Sequence, residues 1–88
     1  MKTVVFYERS DVSVEKVMKI YPRHKQLVDD FAKEGKILAI GAFTNPADGS
    51  MGVFKDRASA EEFVNQDPFV KEGIVGKMSM KEWNEILL

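Results

Sequence analysis

Apolar positions along the first residues alternate with a period of two, then switch to spacings of three and four. KTVVFYE (2–8) is β-branched and aromatic, which predicts a strand. Val5 and Tyr7 fall on one side of its alternation and Val4 and Phe6 on the other, so both sides are apolar. A strand apolar on both sides is covered on both sides. Ser13 suits an N-cap, with Glu15 in the first turn. From there Val17, Ile20, His24, Leu27, Val28 and Phe31 form one face of a helix. Pro22 lacks a backbone donor and crowds the turn before it. That predicts either a kink or a break, with a second helix starting at Pro22. Gly35 marks the stop.

KILAIGAF (36–43) is the second predicted strand, with Gly41 suggesting a bulge or a close backbone approach. TNPADG (44–49) carries turn signals, and SMGVFK (50–55) completes a hairpin. Ser59-Ala60-Glu61-Glu62 fits a capping box opening a helix with Ala60, Phe63 and Val64 inward. DPFVKEG (67–73) reads as a short helical turn, and VGKMSMKEW (75–83) as the last strand before the apolar tail NEILL. The order β-α-β-β-α-β predicts one α+β domain over 1–88, a ferredoxin-like sandwich. Its four-stranded antiparallel sheet would carry the helices on one face. The other face then needs a cover. A second copy packed sheet to sheet, giving a homodimer, is the simplest; NEILL with Met78 and Met80 is the alternative within one chain.

Charge and composition remove several function classes. The 13 basic and 14 acidic residues are interleaved to a net charge of −1. No basic stripe suits nucleic acid, and no polybasic block suits a membrane surface. No apolar run is long enough for a signal peptide or a bilayer span, so a cytoplasmic domain is expected. The chain has no cysteine, which excludes disulfides, thiolate metal sites and cysteine nucleophiles. One histidine and scattered carboxylates predict no metal, and no glycine-rich nucleotide motif calls for a cofactor.

That single histidine, His24, occupies an inward position where leucine would pack better. Imidazole suits general acid or base work. A histidine at the core edge, satisfied by a carbonyl or by water, explains the position as simply. Asp67 before Pro68 has the pattern of an N-cap, four residues after the inward Phe63. The predicted fold runs its helices roughly antiparallel, placing the start of the segment led by Pro22 beside the end of the one led by Ser59. His24 and Asp67 then meet, and a carboxylate has enough lone pairs to cap a helix and orient a ring together. Arg23 and Lys25 point outward, and would favour an anion if a helix began at Pro22. Asp29 and Asp30 read as a solvated face. Tyr7, Phe43, Phe54, Phe69 and Trp83 are assigned to the core, one or two of them lining a small apolar pocket beside the pair.

Taken in order, VVFYE, the histidine of YPRHKQLVDDF, ILAIGAF, GSMGVF, AEEFVNQDPFVKEGIV and a terminal strand closing on Trp83 resemble the YciI-like (YCII-related) family over nearly the whole chain. The resemblance implies a ferredoxin-like fold that dimerises through its sheets, as in the dimeric α+β barrel proteins. It also implies a catalytic site on His24 and Asp67. By analogy of fold the chemistry would be cofactor-free, a proton shift or elimination on a small cyclic or aromatic compound, the work of a lyase or isomerase. Two other readings stand beside it. The chain is a binding or regulatory module holding a small molecule unchanged, or the pair only fixes helix packing.

Overall fold

The computed structural model describes residues 1–88 and contains the predicted elements in the predicted order. They are β1 (Lys2–Arg9), α1 (Val14–Lys33), β2 (Ile37–Ala42), β3 (Ser50–Phe54), α2 (Arg57–Gln66), α3 (Pro68–Lys71) and β4 (Val75–Trp83). The sheet is antiparallel throughout with strand order β2-β3-β1-β4, so β1 is central beside β3. Val5 and Tyr7 of β1 join Phe54 and Ile37 beneath Phe31 of α1 and Ala60, Phe63 and Val64 of α2 in one core. Phe63 sits at its centre, with ring centroids 5.3 Å from Phe31 and 5.2 Å from Phe54. The helices therefore cover the Val5/Tyr7 face alone.

Ser13 caps α1 as predicted, its Oγ accepting from the Lys16 N–H at 3.2 Å, and Gly35 follows the helix with φ 71°. The break at Pro22 does not occur: α1 runs through it as one helix. The reason is which side Pro22 faces. Pro22 and Met18, whose carbonyl loses its usual partner, are both exposed, so water can solvate the orphaned carbonyl. The inward residues Ile20, His24 and Phe31 are buried along the opposite side. With no helix start at Pro22, the anion expectation for Arg23 and Lys25 falls. Arg23 instead lies 3.5 Å from Glu72, and Lys25 bonds Asp29 at 2.6 Å on the solvated face.

The capping box at Ser59 is also corrected. Asp56 is the N-cap of α2, its Oδ1 accepting from the Ser59 N–H at 2.8 Å, which makes Ser59 the third helical residue, buried against the core. Gly41 pairs regularly with Met51, and the irregularity in β2 falls between Ile37 and Ala39. Gly49 is the glycine that matters. With φ 81°, its missing Cβ would lie 1.9 Å from the Tyr7 carbonyl oxygen, so the hairpin turn can press against β1 beside Tyr7.

The face away from the helices carries Val4 and Phe6, which pair with Val53 and Met51. The proposed cover within the chain fails. Met80 pairs with Val5 and Met78 with Tyr7, which puts both on the helix face. Ile86, Leu87 and Leu88 of the tail are exposed rather than folded over the sheet. Phe43 and Trp83, expected in the core, are 36% and 37% exposed. The Lys81 ammonium crosses the face away from the helices, 5.9 Å from the Phe6 ring centroid, and Lys2 on the same side of β1 pairs with Glu85 of the tail. No helix is long and apolar enough to cross a membrane.

Candidate functional site

Asp67 stands at a hinge in the backbone. Its N–H closes α2 on the Phe63 carbonyl at 2.9 Å, and its Oδ1 opens α3 by accepting from the Phe69 N–H at 3.0 Å. Pro68 at the first helical position holds that turn. The same carboxylate is wholly buried, at 0% exposure. A buried carboxylate must find donors, and two side chains supply them. His24 Nδ1 lies 2.8 Å from Oδ1, and the Tyr7 hydroxyl donates to Oδ2 at 2.8 Å. Both oxygens are occupied, by three donors from three elements of the fold.

The structure thus brings His24 and Asp67 together, as the topology predicted, but from the middle of a continuous helix rather than the start of a second one. An aspartate oxygen facing Nδ1 assigns the ring proton to that nitrogen. Nε2 of the neutral ring then keeps its lone pair. It has no hydrogen-bond partner in the chain, and Thr3 Oγ1 is the one buried side-chain polar atom without a partner, so Nε2 reaches solvent. Aromatic rings fix the imidazole plane. Phe69 stacks on it at 4.0 Å with an interplanar angle of 4°, and Phe63 meets it edge-on at 6.0 Å. Tyr21, half exposed, has its centroid 6.1 Å away.

Tyr7 is the member that sequence reasoning left in the core. It is buried and does pack there, yet a buried tyrosine hydroxyl needs a partner and this one takes Asp67. Burial first, then the Asp67 charge and the hydrogen bond to it, push the Tyr7 phenol well above its ordinary value of 10.0, so it stays a donor. A cavity of about 310 Å³ opens beside Tyr7. It lies between the first turn of α1 (Val14, Val17), Phe69, the hairpin turn and the ends of the strands. His24 does not line it. Tyr7 and Phe69 do, and each also touches the pair, so cavity and imidazole share a wall of two aromatic side chains. No three metal-binding side chains converge anywhere in the chain.

The fold recurs in solved structures. The 5-chloro-2-hydroxyhydroquinone dehydrochlorinase TftG of Burkholderia phenoliruptrix AC1100, in complex with 2,5-dihydroxybenzoquinone, aligns at TM-score 0.77 and 20% identity over 96% of this chain and 94% of that one. A conserved protein from Methanosarcina mazei Go1 aligns at 0.58 and 22% identity, over 91% and 87% of the two chains. A dimeric protein of ferredoxin-like fold and unknown function from Bacteroides fragilis NCTC 9343 aligns at 0.51 and 17%, over 91% and 90%. At these identities the likeness is one of fold. No curated protein matches in sequence. The YCII-related domain matches residues 1–84 from strand β1 through β4, and the chain belongs to that family.

Proposed function

We propose that this protein is a small-molecule enzyme that uses His24 as a cofactor-free general base and acid. The observation that carries the reading is the buried His24–Asp67 pair with its Nε2 left free. Asp67 holds the Nδ1 proton in place, so Nε2 can accept a proton from the substrate and later return it to another carbon or to a leaving group. In the second case the bond to the leaving group breaks as the carbon–hydrogen pair of electrons forms a double bond. The result is an elimination, and in the first case an isomerisation. Asp67 is a positioning residue, because its oxygens are already occupied. The dehydrochlorinase that shares the fold is a precedent for elimination from a hydroxylated ring, and supports a small cyclic compound as substrate.

Hydroxylated and chlorinated monocyclic compounds, beginning with 5-chloro-2-hydroxyhydroquinone, would test this by chloride release and by exchange of carbon-bound hydrogen in D2O. We expect turnover that His24→Asn lowers by about 10²-fold or more. Asp67→Asn should lower kcat more than it raises KM, and should alter the pH profile. One observation favours a second reading. His24 does not line the cavity, as a site that only binds its ligand would allow. Ligand binding without any His24-dependent turnover would establish that binding module and end the catalytic assignment.

We further propose that a second copy covers the open sheet face. No helix packs on this face, where Phe6 and Met51 are only half-buried, and the dimeric Bacteroides fragilis protein of this fold supports a pairing of copies. Sedimentation should give a dimer that Phe6→Glu splits into folded monomers; a wild-type monomer at all concentrations would refute it.

A further inference from the structure

The wall of the cavity contains a charge that the His24–Asp67 pair does not use. The chain has three arginines. Arg23 has Glu72 at 3.5 Å, and Arg57 has Glu61 at 2.9 Å. Arg9 has no carboxylate partner. Its one hydrogen bond runs from Nη2 to the Val12 carbonyl at 3.4 Å, a weak contact for a group with five donors. Yet Arg9 is half-buried at the end of β1 and lines the 310 Å³ cavity. Glu8 also lies at the mouth, but it is exposed and forms no ion pair with Arg9. The donors that Val12 leaves over reach solvent rather than a carboxylate, so an anion entering the cavity can take them without breaking an ion pair.

The rest of the cavity describes what that anion is attached to. Val14, Val17, Ala42, Phe69, Ile74 and Val75 make an apolar slot, with Phe69 presenting an aromatic surface. The volume is at the lower end of the roughly 300–1,000 Å³ range for small-molecule sites, which suits a single ring. Val14 is the first residue of the 20-residue α1, so the positive end of that helix adds to Arg9 at the same mouth. Tyr7 lines the cavity as well, two residues before Arg9 on β1, and its hydroxyl proton is committed to Asp67.

We propose that this cavity takes a single-ring compound bearing an anionic oxygen substituent, a carboxylate or acidic phenol, and that Arg9 selects it by pairing with that group. The proposal rests on reading the protein as a small-molecule site and supplies the substrate class. Its test is a binding measurement that needs no turnover. 4-Hydroxybenzoate and the isosteric neutral 4-hydroxybenzamide are each titrated into the full chain, with backbone amide NMR shifts locating the site and giving Kd. The acid should bind at least tenfold tighter than the amide and shift the amides of Val14, Val17 and Phe69. Arg9→Met should abolish the preference while leaving the amide's affinity unchanged, and Arg9→Lys should restore part of it, which separates lost charge from a disturbed fold. His24→Ala should keep the preference, so a failure of the acid–base chemistry leaves this result untouched. Equal affinity for acid and amide, an Arg9→Met variant that still prefers the acid, or no shift at these amides with either probe would overturn the proposal.

Discussion

Two aspartates in this chain cap helices in the same way and live in different chemistry. Asp56 opens α2 by accepting the Ser59 N–H at 2.8 Å, and Asp67 opens α3 by accepting the Phe69 N–H at 3.0 Å. Asp56 is half-exposed, and its carboxyl is held below its ordinary 3.8 chiefly by that backbone hydrogen bond. Water supplies whatever else it needs. Asp67 has no water to turn to, being 0% exposed, and draws its remaining donors from His24 and Tyr7. One cap is therefore a local device. The other ties β1, α1 and the α2–α3 junction into one polar cluster inside an apolar core. Capping alone says nothing about function; burial of the cap residue forces partners on it, and the partners carry the chemistry.

Replacing each cap by alanine exposes the difference most strongly. Asp67→Ala leaves the His24 Nδ1–H, the Tyr7 hydroxyl and the Phe69 N–H unpaired inside the protein. A buried donor left unsatisfied costs about 1–3 kcal/mol, so a loss larger than that of any single bond is expected in urea unfolding. Asp56→Ala, measured alongside, should shift the midpoint less, because it takes the partner from one donor where Asp67→Ala takes it from three. Equal losses at the two positions would mean that Asp67 is a cap and little more.

The sequence makes one half of this contrast readable. Asp67 before Pro68 signals a cap from local chemistry, and His24 at helical spacing between Ile20 and Leu27 signals a ring turned inward. The element order then brings the two together before any coordinate is known. What escapes is whatever depends on depth or on side. Tyr7 continues the alternation of Val5, so its ring reads as core, and nothing local says that its hydroxyl ends beside a carboxylate 60 residues away. Ser59 and Asp56 both satisfy the preference for a cap, and the choice falls to Asp56 because helix α2 begins a turn earlier and buries Ser59. Pro22 is permitted inside α1 because it faces water, which composition alone does not reveal. Met78 and Met80 look like covers for the open face until the pairing with Tyr7 and Val5 turns them to the other one.

Tyr7 gives the smaller and sharper test of the same contrast. Tyr7→Phe removes one hydrogen bond to a buried carboxylate and keeps the ring, a loss of about 1.5–3 kcal/mol for a bond to a charged group. The more specific signature lies in pH. The folded phenol holds its proton above the ordinary value of 10.0, while the unfolded chain releases it there. Below pH 10 both states are protonated and this part of the stability is fully present. Above pH 10 only the unfolded state gains from ionisation, so stability falls by up to about 1.4 kcal/mol per pH unit. Urea unfolding at pH 9 to 11 should show that fall in the native protein and a shallower one in Tyr7→Phe, the difference isolating Tyr7 from the lysines that titrate nearby. In a Tyr21→Phe background Tyr7 is the sole tyrosine, and tyrosinate absorbance should appear only as the chain unfolds. Ionisation in the folded state near pH 10 would show Tyr7 to be in contact with water. The carboxylate beside it would then resemble Asp56, a solvated cap.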